Sequence, residues 1–442
     1  MVQAQRGATA STSAVVDAIR AAGTISRVGL TSVTGLTGAT VSTVVRRLID
    51  DGLVVEIGRA ESTGGKPRVL LELEPTARYA AGVHLDHASI TCTVTDLTGT
   101  PVAISTRPGP GTEHPAAVLE AVAAEVDRLV DEAGVDRERL LGVGVVAPGP
   151  LTSSGGMHRT PPSMRPWTDY PITLELGRLT GLPVLLENDA TASAVGEYWS
   201  GGTDSEGSFA VLYMGTGLGA GLVLDGVAYR GSSGNAGEIG HTTLDLDGPL
   251  CWCGTRGCVE ALAGPAAVVA EVRTSPGLAR QLGVAQADGA PSGEPAAPAD
   301  AGRTDDPATV DDSVVTAFAA VAAAASAGHP EARRILDRSA RYVAAAALNT
   351  VNLLDVRMLV LSGASLAAAG DVYLPVVRDL LSAALFARGD HPVDVRLSRT
   401  AASAPAVGGA ALVLQSHLVP TLAPPAQPRP SAPLSEISTL ST

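Results

Sequence analysis

Over the first 75 positions, apolar residues fall at helical spacing in three short runs and then in two strand-like ones. Val15, Val16 and Ile19 form one helical face. Ile25, Val28, Leu30 and Val33 predict a second, short helix opening after Ser26, a residue type that caps helix amino termini. Thr34-Gly35-Leu36 reads as a turn. A third helix starts at Thr37, another capping residue, with Val41, Val44, Val45 and Leu48 on its apolar face and Ala39, Thr40, Ser42, Thr43 and Arg46 opposite. Residues 53–57 and 68–73 then predict a β-ribbon whose tip is Ser62-Thr63-Gly64-Gly65-Lys66.

From about Tyr79 strands alternate with helical stretches, which predicts an α/β body with largely parallel sheets. Residues 80–85 and 90–96 read as a hairpin, and 141–146, 184–186 and 209–214 as further strands. Ligands of such sheets collect beyond the strands' carboxyl ends. Residues 284–311 and the tail are rich in Ala, Pro, Gly, Ser and Asp with little to bury, so both are expected to be mobile, the first as an insertion between helical stretches 264–272 and 314–325. The expected division is 1–75, a first lobe at 79–195 with a return at 402–417, a second lobe at 196–401, and a tail at 418–442.

A chain of 442 residues is too long for one core. With no basic leader and no apolar run of roughly 18 residues, the expectation is a cytoplasmic protein without membrane contact. The net charge of −14 argues against coating nucleic acid by bulk attraction, yet residues 1–73 carry eight Lys/Arg against six Asp/Glu. A non-negative amino-terminal module on an acidic body fits a small DNA reader, with Arg46 and Arg47 placed for phosphates and Thr37, Ala39, Thr40, Ser42 and Thr43 for the major groove.

Three of the four cysteines, Cys251, Cys253 and Cys258, cluster after His241. One imidazole and three thiolates complete a tetrahedral set for structural Zn2+, leaving no open position for a water, and Gly254 and Gly257 permit the tight loop this needs. Cys92 reads as a buried core thiol. Asn188 and Asp189 follow a buried strand and could be a helix cap or cleft residues. The Gly-rich stretch 214–221 suits either a phosphate cradle or a plain hairpin.

The stretch 25–58, the Ser-Thr-Gly-Gly-Lys-Pro string and the Glu238-Ile239-Gly240-His241 motif with its cysteines closely resemble the ROK family (repressors, open reading frames, kinases), over residues of about 13 to 417, and in particular its xylose- and N-acetylglucosamine-type repressors. That resemblance implies a winged helix-turn-helix followed by a two-lobed, actin-like (ribonuclease-H-like) α/β domain, bound to operator DNA as a homo-dimer or higher oligomer. It also implies that a monosaccharide or sugar derivative is held by Asn188, Asp189, Glu238, His241 and Glu260, with Asp189 matching the general base of the family's kinases and His241 shared between zinc and sugar. The chain departs from the kinase pattern at its first phosphate motif, where His84 replaces the acidic residue, Asp86 the first Gly and Ala88 the hydroxyl residue. Ser362-Gly363-Ala364 keeps only part of the adenosine-side Gly pair. The expected function is therefore a sugar-responsive repressor without catalysis. The alternatives are a sugar kinase that also binds DNA, and a repressor governed by a partner protein.

Overall fold

Capping chemistry sets the amino-terminal helices. In the computed structural model, α1 (Val2–Ala22) and the short β1 (Ile25–Ser26) precede α2 (Arg27–Thr34), whose first turn is capped by Ser26 accepting from Gly29 N at 3.2 Å. Gly35 ends α2 at φ 67°, and Thr37 caps α3 (Gly38–Asp50) by accepting from Thr40 N. The chain direction turns by 119° between α2 and α3, in the range of two-helix turn motifs. The strands β2 (Val54–Arg59) and β3 (Val69–Leu73) pair antiparallel, and β1 adds to β3. The structure describes residues 2–59, 68–111, 113–152, 155–158, 160–200, 207–284, 312–389 and 392–418. The ribbon tip, the insertion beyond Val284 and the tail beyond Leu418 lie outside them.

The apolar face expected on α2 is not formed as a unit. Leu30 is buried, whereas Val28 and Val33 are 54% and 63% exposed and Ile25 belongs to β1, paired with Leu71. Residues two apart on a helix point about 200° apart, so Val28 and Leu30 cannot share a side, and eight residues offer too few turns for a stripe.

In the body, β4 (Tyr79–Leu85), β5 (Ser89–Asp96) and β6 (Pro101–Pro108) form a meander, followed by α4 (Pro115–Glu132), β7 (Leu140–Ala147), α5 (Ile172–Thr180), β8 (Val184–Asn188) and α6 (Asp189–Trp199). Next come β9 (Phe209–Met214), β10 (Leu218–Leu224), β11 (Val227–Ala228), α7 (Val259–Ala263), α8 (Pro265–Arg273), α9 (Pro276–Gln281), α10 (Asp312–Ser326), α11 (Pro330–Leu354), β12 (Met358–Ser362), α12 (Ala364–Ala368), α13 (Gly370–Ala384), β13 (Asp394–Leu397) and α14 (Ala404–Leu418). The two sheets share one plan, β6-β5-β4-β7-β8 and β11-β10-β9-β12-β13.

Each sheet is half antiparallel, correcting the expectation of largely parallel ones. The reason is loop length: four residues join β5 to β6 around Asp96, whose Oδ1 accepts from Thr98 N and Thr100 N, and three residues join β9 to β10. A parallel crossover needs a dozen or more. The last helix, α14, returns to the first sheet and presses on α6, where a Cβ on Gly408 would lie 1.8 Å from Ala192 O. Among the described residues no single helix is long and apolar enough to cross a membrane.

The amino-terminal helices do not keep a core of their own. Val15, Ile19, Leu30, Val41, Val45 and Leu71 belong to one continuous apolar cluster with Leu97, Trp199, Leu412 and Leu414 of the first lobe.

Candidate functional site

Between the lobes lies a cavity of about 190 Å3 lined by four carboxylates, Asp86, Asp189, Glu238 and Glu260, together with His241 and Asn188. Asp86, Asn188 and Asp189 stand at the carboxyl ends of β4 and β8, where the α/β layout directs ligands, whereas Glu238, His241 and Glu260 come from the segment between β11 and α7 and the start of that helix. Asn188 does both things its position allowed. Its Oδ1 caps α6 by accepting from Thr191 N at 3.1 Å, and the residue still lines the cavity. Glu260 is held by two donors, Trp252 Nε1 at 2.7 Å and Leu218 N at 3.0 Å.

Burial, and after it the crowding of acids, changes their protonation. Burial pushes the Asp189 carboxyl well above the usual range, reinforced by the charges of Asp86 and Glu238 against the opposing Ala190 N–H. Burial also raises Glu238, with Glu260 adding to it and His241 opposing, and it raises the Tyr213 phenol on the cavity wall, helped by Asp189 and Asp86. A cleft in which some carboxyls keep protons offers donors as well as acceptors, which suits a polyhydroxylated ligand.

Asp86 carries the clearest departure from a phosphate cradle. Its Oδ1 accepts from Thr216 Oγ1 at 2.9 Å, from the Gly-rich turn of the other lobe, and from His87 N at 2.7 Å. His84 does not line the cavity. It is buried edge-on to Tyr213, and burial lowers its basicity against the pull of Asp86.

His241, Cys251, Cys253 and Cys258 bring one donor atom each to within 4.8 Å of one another. Cys251 Sγ is 3.6 Å from His241 Nδ1, and Cys253 Sγ is 3.6 Å from Cys258 Sγ. Two thiolates sharing a tetrahedral ion at about 2.3 Å stand roughly 3.8 Å apart, so the donors fit a single metal ion. Gly254 and Gly257, at φ 94° and 65°, make the loop possible. The His241 ring also lines the cavity and meets Trp252 edge-on at 5.0 Å, so metal loop and cleft share a wall.

On α3, Ala39, Thr43, Arg46 and Arg47 are exposed and Thr40 and Ser42 half-buried. The Thr37 hydroxyl serves as cap, Thr43 Oγ1 donates to Ala39 O, and Arg47 stands 3.6 Å from Asp51. Sequence reasoning missed Trp252 and Tyr213 in the cleft, and had Thr216 only as part of the Gly-rich stretch 214–221. It also missed the ion pair of Glu187 with Arg230 at 2.6 Å, which ties β8 to the second lobe. Trp252 lay in plain view between two candidate ligands; the other contacts are long-range and leave no local signal.

A model of the ROK family matches residues 80–416. The chain belongs to the ROK family. A xylose repressor of Bacillus subtilis is 32% identical over 250 residues, 57% of this chain and 64% of that protein. Thus the match spans less than two thirds of the length of the xylose repressors concerned. A glucokinase of Thermotoga maritima is 40% identical over 133 residues, 30% of this chain and 42% of that one. Among solved structures, a ROK family transcriptional regulator described as a homolog of the E. coli MLC protein aligns with 95% of this chain and 99% of its own at TM-score 0.67 and 23% identity, a likeness of fold. A ROK glucokinase from Streptomyces griseus, solved with glucose and AMPPNP, aligns with 76% of this chain and 98% of its own at TM-score 0.60 and 25% identity. The two-lobed body is therefore the ROK kinase-like fold.

Proposed function

We propose that this ROK protein is a sugar-responsive DNA-binding repressor of carbohydrate genes. One juxtaposition carries the reading: the small, polar face of α3, offered at 119° to α2, is packed through one apolar cluster onto the lobe that supplies Asp86, Asn188 and Asp189 to a cleft lined by carboxylates. The amino-terminal unit acts as a winged helix-turn-helix. Arg46 and Arg47 take phosphates, while Ala39, Thr40, Ser42 and Thr43 face base edges, with Thr37 at the helix start. Asn188, Asp189, Glu238, His241 and Glu260 hold a monosaccharide, and the name of the Bacillus relative makes an aldopentose the first candidate. His241, Cys251, Cys253 and Cys258 would hold structural Zn2+, which when bound fixes the loop carrying His241 and Glu260. Two copies or more would align paired winged helices on a two-fold operator.

Phosphoryl transfer is not part of the proposal, although kinases are among the relatives. The bond from Thr216 to Asp86 ties together the two loops between which a polyphosphate would have to lie, and phosphoryl transfer rests on positioning those groups. The test is selection of DNA by the purified protein from a random-sequence pool, followed by retardation of the selected fragment across a panel of aldoses. The expected result is one preferred sequence whose affinity changes with one sugar. Sugar-dependent ATP turnover at roughly 1 per second or above would overturn the repressor-only reading.

A further inference from the structure

The two ends of α6 carry different chemistry. Its first residue, Asp189, with its cap Asn188, lines the cleft. Its last two, Tyr198 and Trp199, meet α1. Arg20 of α1 donates through Nη1 to Tyr198 O at 2.7 Å and to Trp199 O at 2.5 Å, and its guanidinium stands 4.8 Å from the centre of each ring. The Arg20 side chain is 3% exposed, with Asp17 at 3.7 Å as its counter-charge. Burying a guanidinium is costly unless its surroundings are arranged to receive it. Here the carboxyl end of a helix, where the dipole favours a cation, and two aromatic faces offset part of that cost, while burial still lowers the guanidinium's basicity.

Between these ends α6 is held by backbone on two sides. A Cβ on Gly408 of α14 would lie 1.8 Å from Ala192 O, and one on Gly221 of β10 would lie 2.0 Å from Ala190 O. A helix of 11 residues spans about 16 Å, and one so tightly seated passes a displacement along its axis instead of absorbing it by side-chain rearrangement. Beside the Arg20 contact a crevice of about 280 Å3, bordered by Arg20, Glu72, Thr100 and Trp199, leaves α1 and the ribbon room to shift against the body.

We propose that α6 is the strut that carries occupancy of the cleft to the DNA-reading helices, and that Arg20 is the positioning residue through which α1 follows it. This rests on the sugar-responsive, DNA-binding reading above. It differs from action at a distance between separately folded units, because one rigid element runs from the cleft to α1, which itself packs on α2 and α3.

The test uses the full chain, the DNA fragment selected by the parent protein, and D-xylose with other aldoses as probes. Arg20→Lys keeps a positive charge but, on a shorter side chain, withdraws it from the two carbonyls that Nη1 reaches and loses the planar guanidinium over both rings; Arg20→Gln removes the charge as well. Sugar affinity is read by calorimetry, and DNA affinity with and without saturating sugar by retardation. Arg20→Lys should bind sugar within about twofold of the parent and sugar-free DNA within about threefold, while the ratio of DNA affinities without and with sugar moves at least about fivefold toward one. A purely structural role would lower the melting temperature or sugar-free DNA affinity and leave that ratio alone, and a parental ratio in a folded Arg20→Lys overturns the proposal. Should Arg20→Gln fail to fold, Arg20→Lys decides. A parent protein that selects no DNA, or responds to no sugar, fails the functional reading itself and the strut with it, an outcome read before any variant is made.

Discussion

Asp189 combines two demands that pull against each other. Its raised carboxyl keeps a proton in the folded chain over a pH range in which the unfolded chain has already released it. Stability is therefore lost as pH rises from the ordinary carboxyl range toward the raised value, and is level above it. Asp189→Asn removes this cost, so the variant should melt higher than the parent near neutral pH, with the gap closing as pH falls toward about 4. At the same time its sugar affinity should fall roughly tenfold to a hundredfold. Thermal melts against pH and a sugar titration read the two effects separately, and a variant that melts lower at neutral pH would show that the charged form is stabilised in the fold. Arg46 poses a simpler question. Exposed on α3, it should contribute about one unit to the salt slope of DNA binding, so Arg46→Ala should flatten a log–log salt titration by that amount with little change in sequence preference. An unchanged slope removes it from the interface. Asn188 shows how far a sequence can be read at this scale: capping and cleft lining looked like rivals, but one side chain has enough hydrogen-bonding atoms for both.

Elements were legible where their signals were local. Ser26, Gly35 and Thr37 announced the limits of α2 and α3, and the spacing of Val41, Val44, Val45 and Leu48 announced the buried face. The strand β6 was missed because its outer residues alternate without a strong apolar set, β12 because a short apolar run just after a long helical pattern cannot be told from helix by periodicity, and β13 because only two of its four residues are apolar. The metal loop was legible for a different reason, since its four donors sit in one short stretch. Within that loop Cys253→Ser should release the metal and lower stability, because a closed four-ligand site loses its centre when one ligand goes. Glu260 would lose its setting too, since Trp252, its partner, is in the same loop. Elemental analysis of the purified variant checks this, and stoichiometric zinc retained would remove Cys253 from the ligand set.

At the scale of the whole molecule, the apolar cluster that runs from Val15 and Leu30 into Trp199 and Leu414 predicts that the amino-terminal helices unfold together with the first lobe. Calorimetry should show no separate low-temperature transition for them, and a resolved one would mean that the boundary near residue 75 is also a thermodynamic boundary. The cleft has a consequence for which compounds can act as a signal. A phosphate ester carries roughly 1.5 to 2 negative charges near neutral pH, and here it would enter a cleft with four carboxyl groups, of which burial pushes Asp189 and Glu238 toward their neutral forms and leaves Asp86 and Glu260 to oppose it. Free sugar should therefore bind at least about tenfold more tightly than its own phosphate, a difference of about 1.4 kcal/mol that competition calorimetry resolves easily. Equal affinities would place the ester outside the reach of these acids. A regulator built this way would sense uptake before metabolism, falling silent toward each molecule at the moment a kinase claims it.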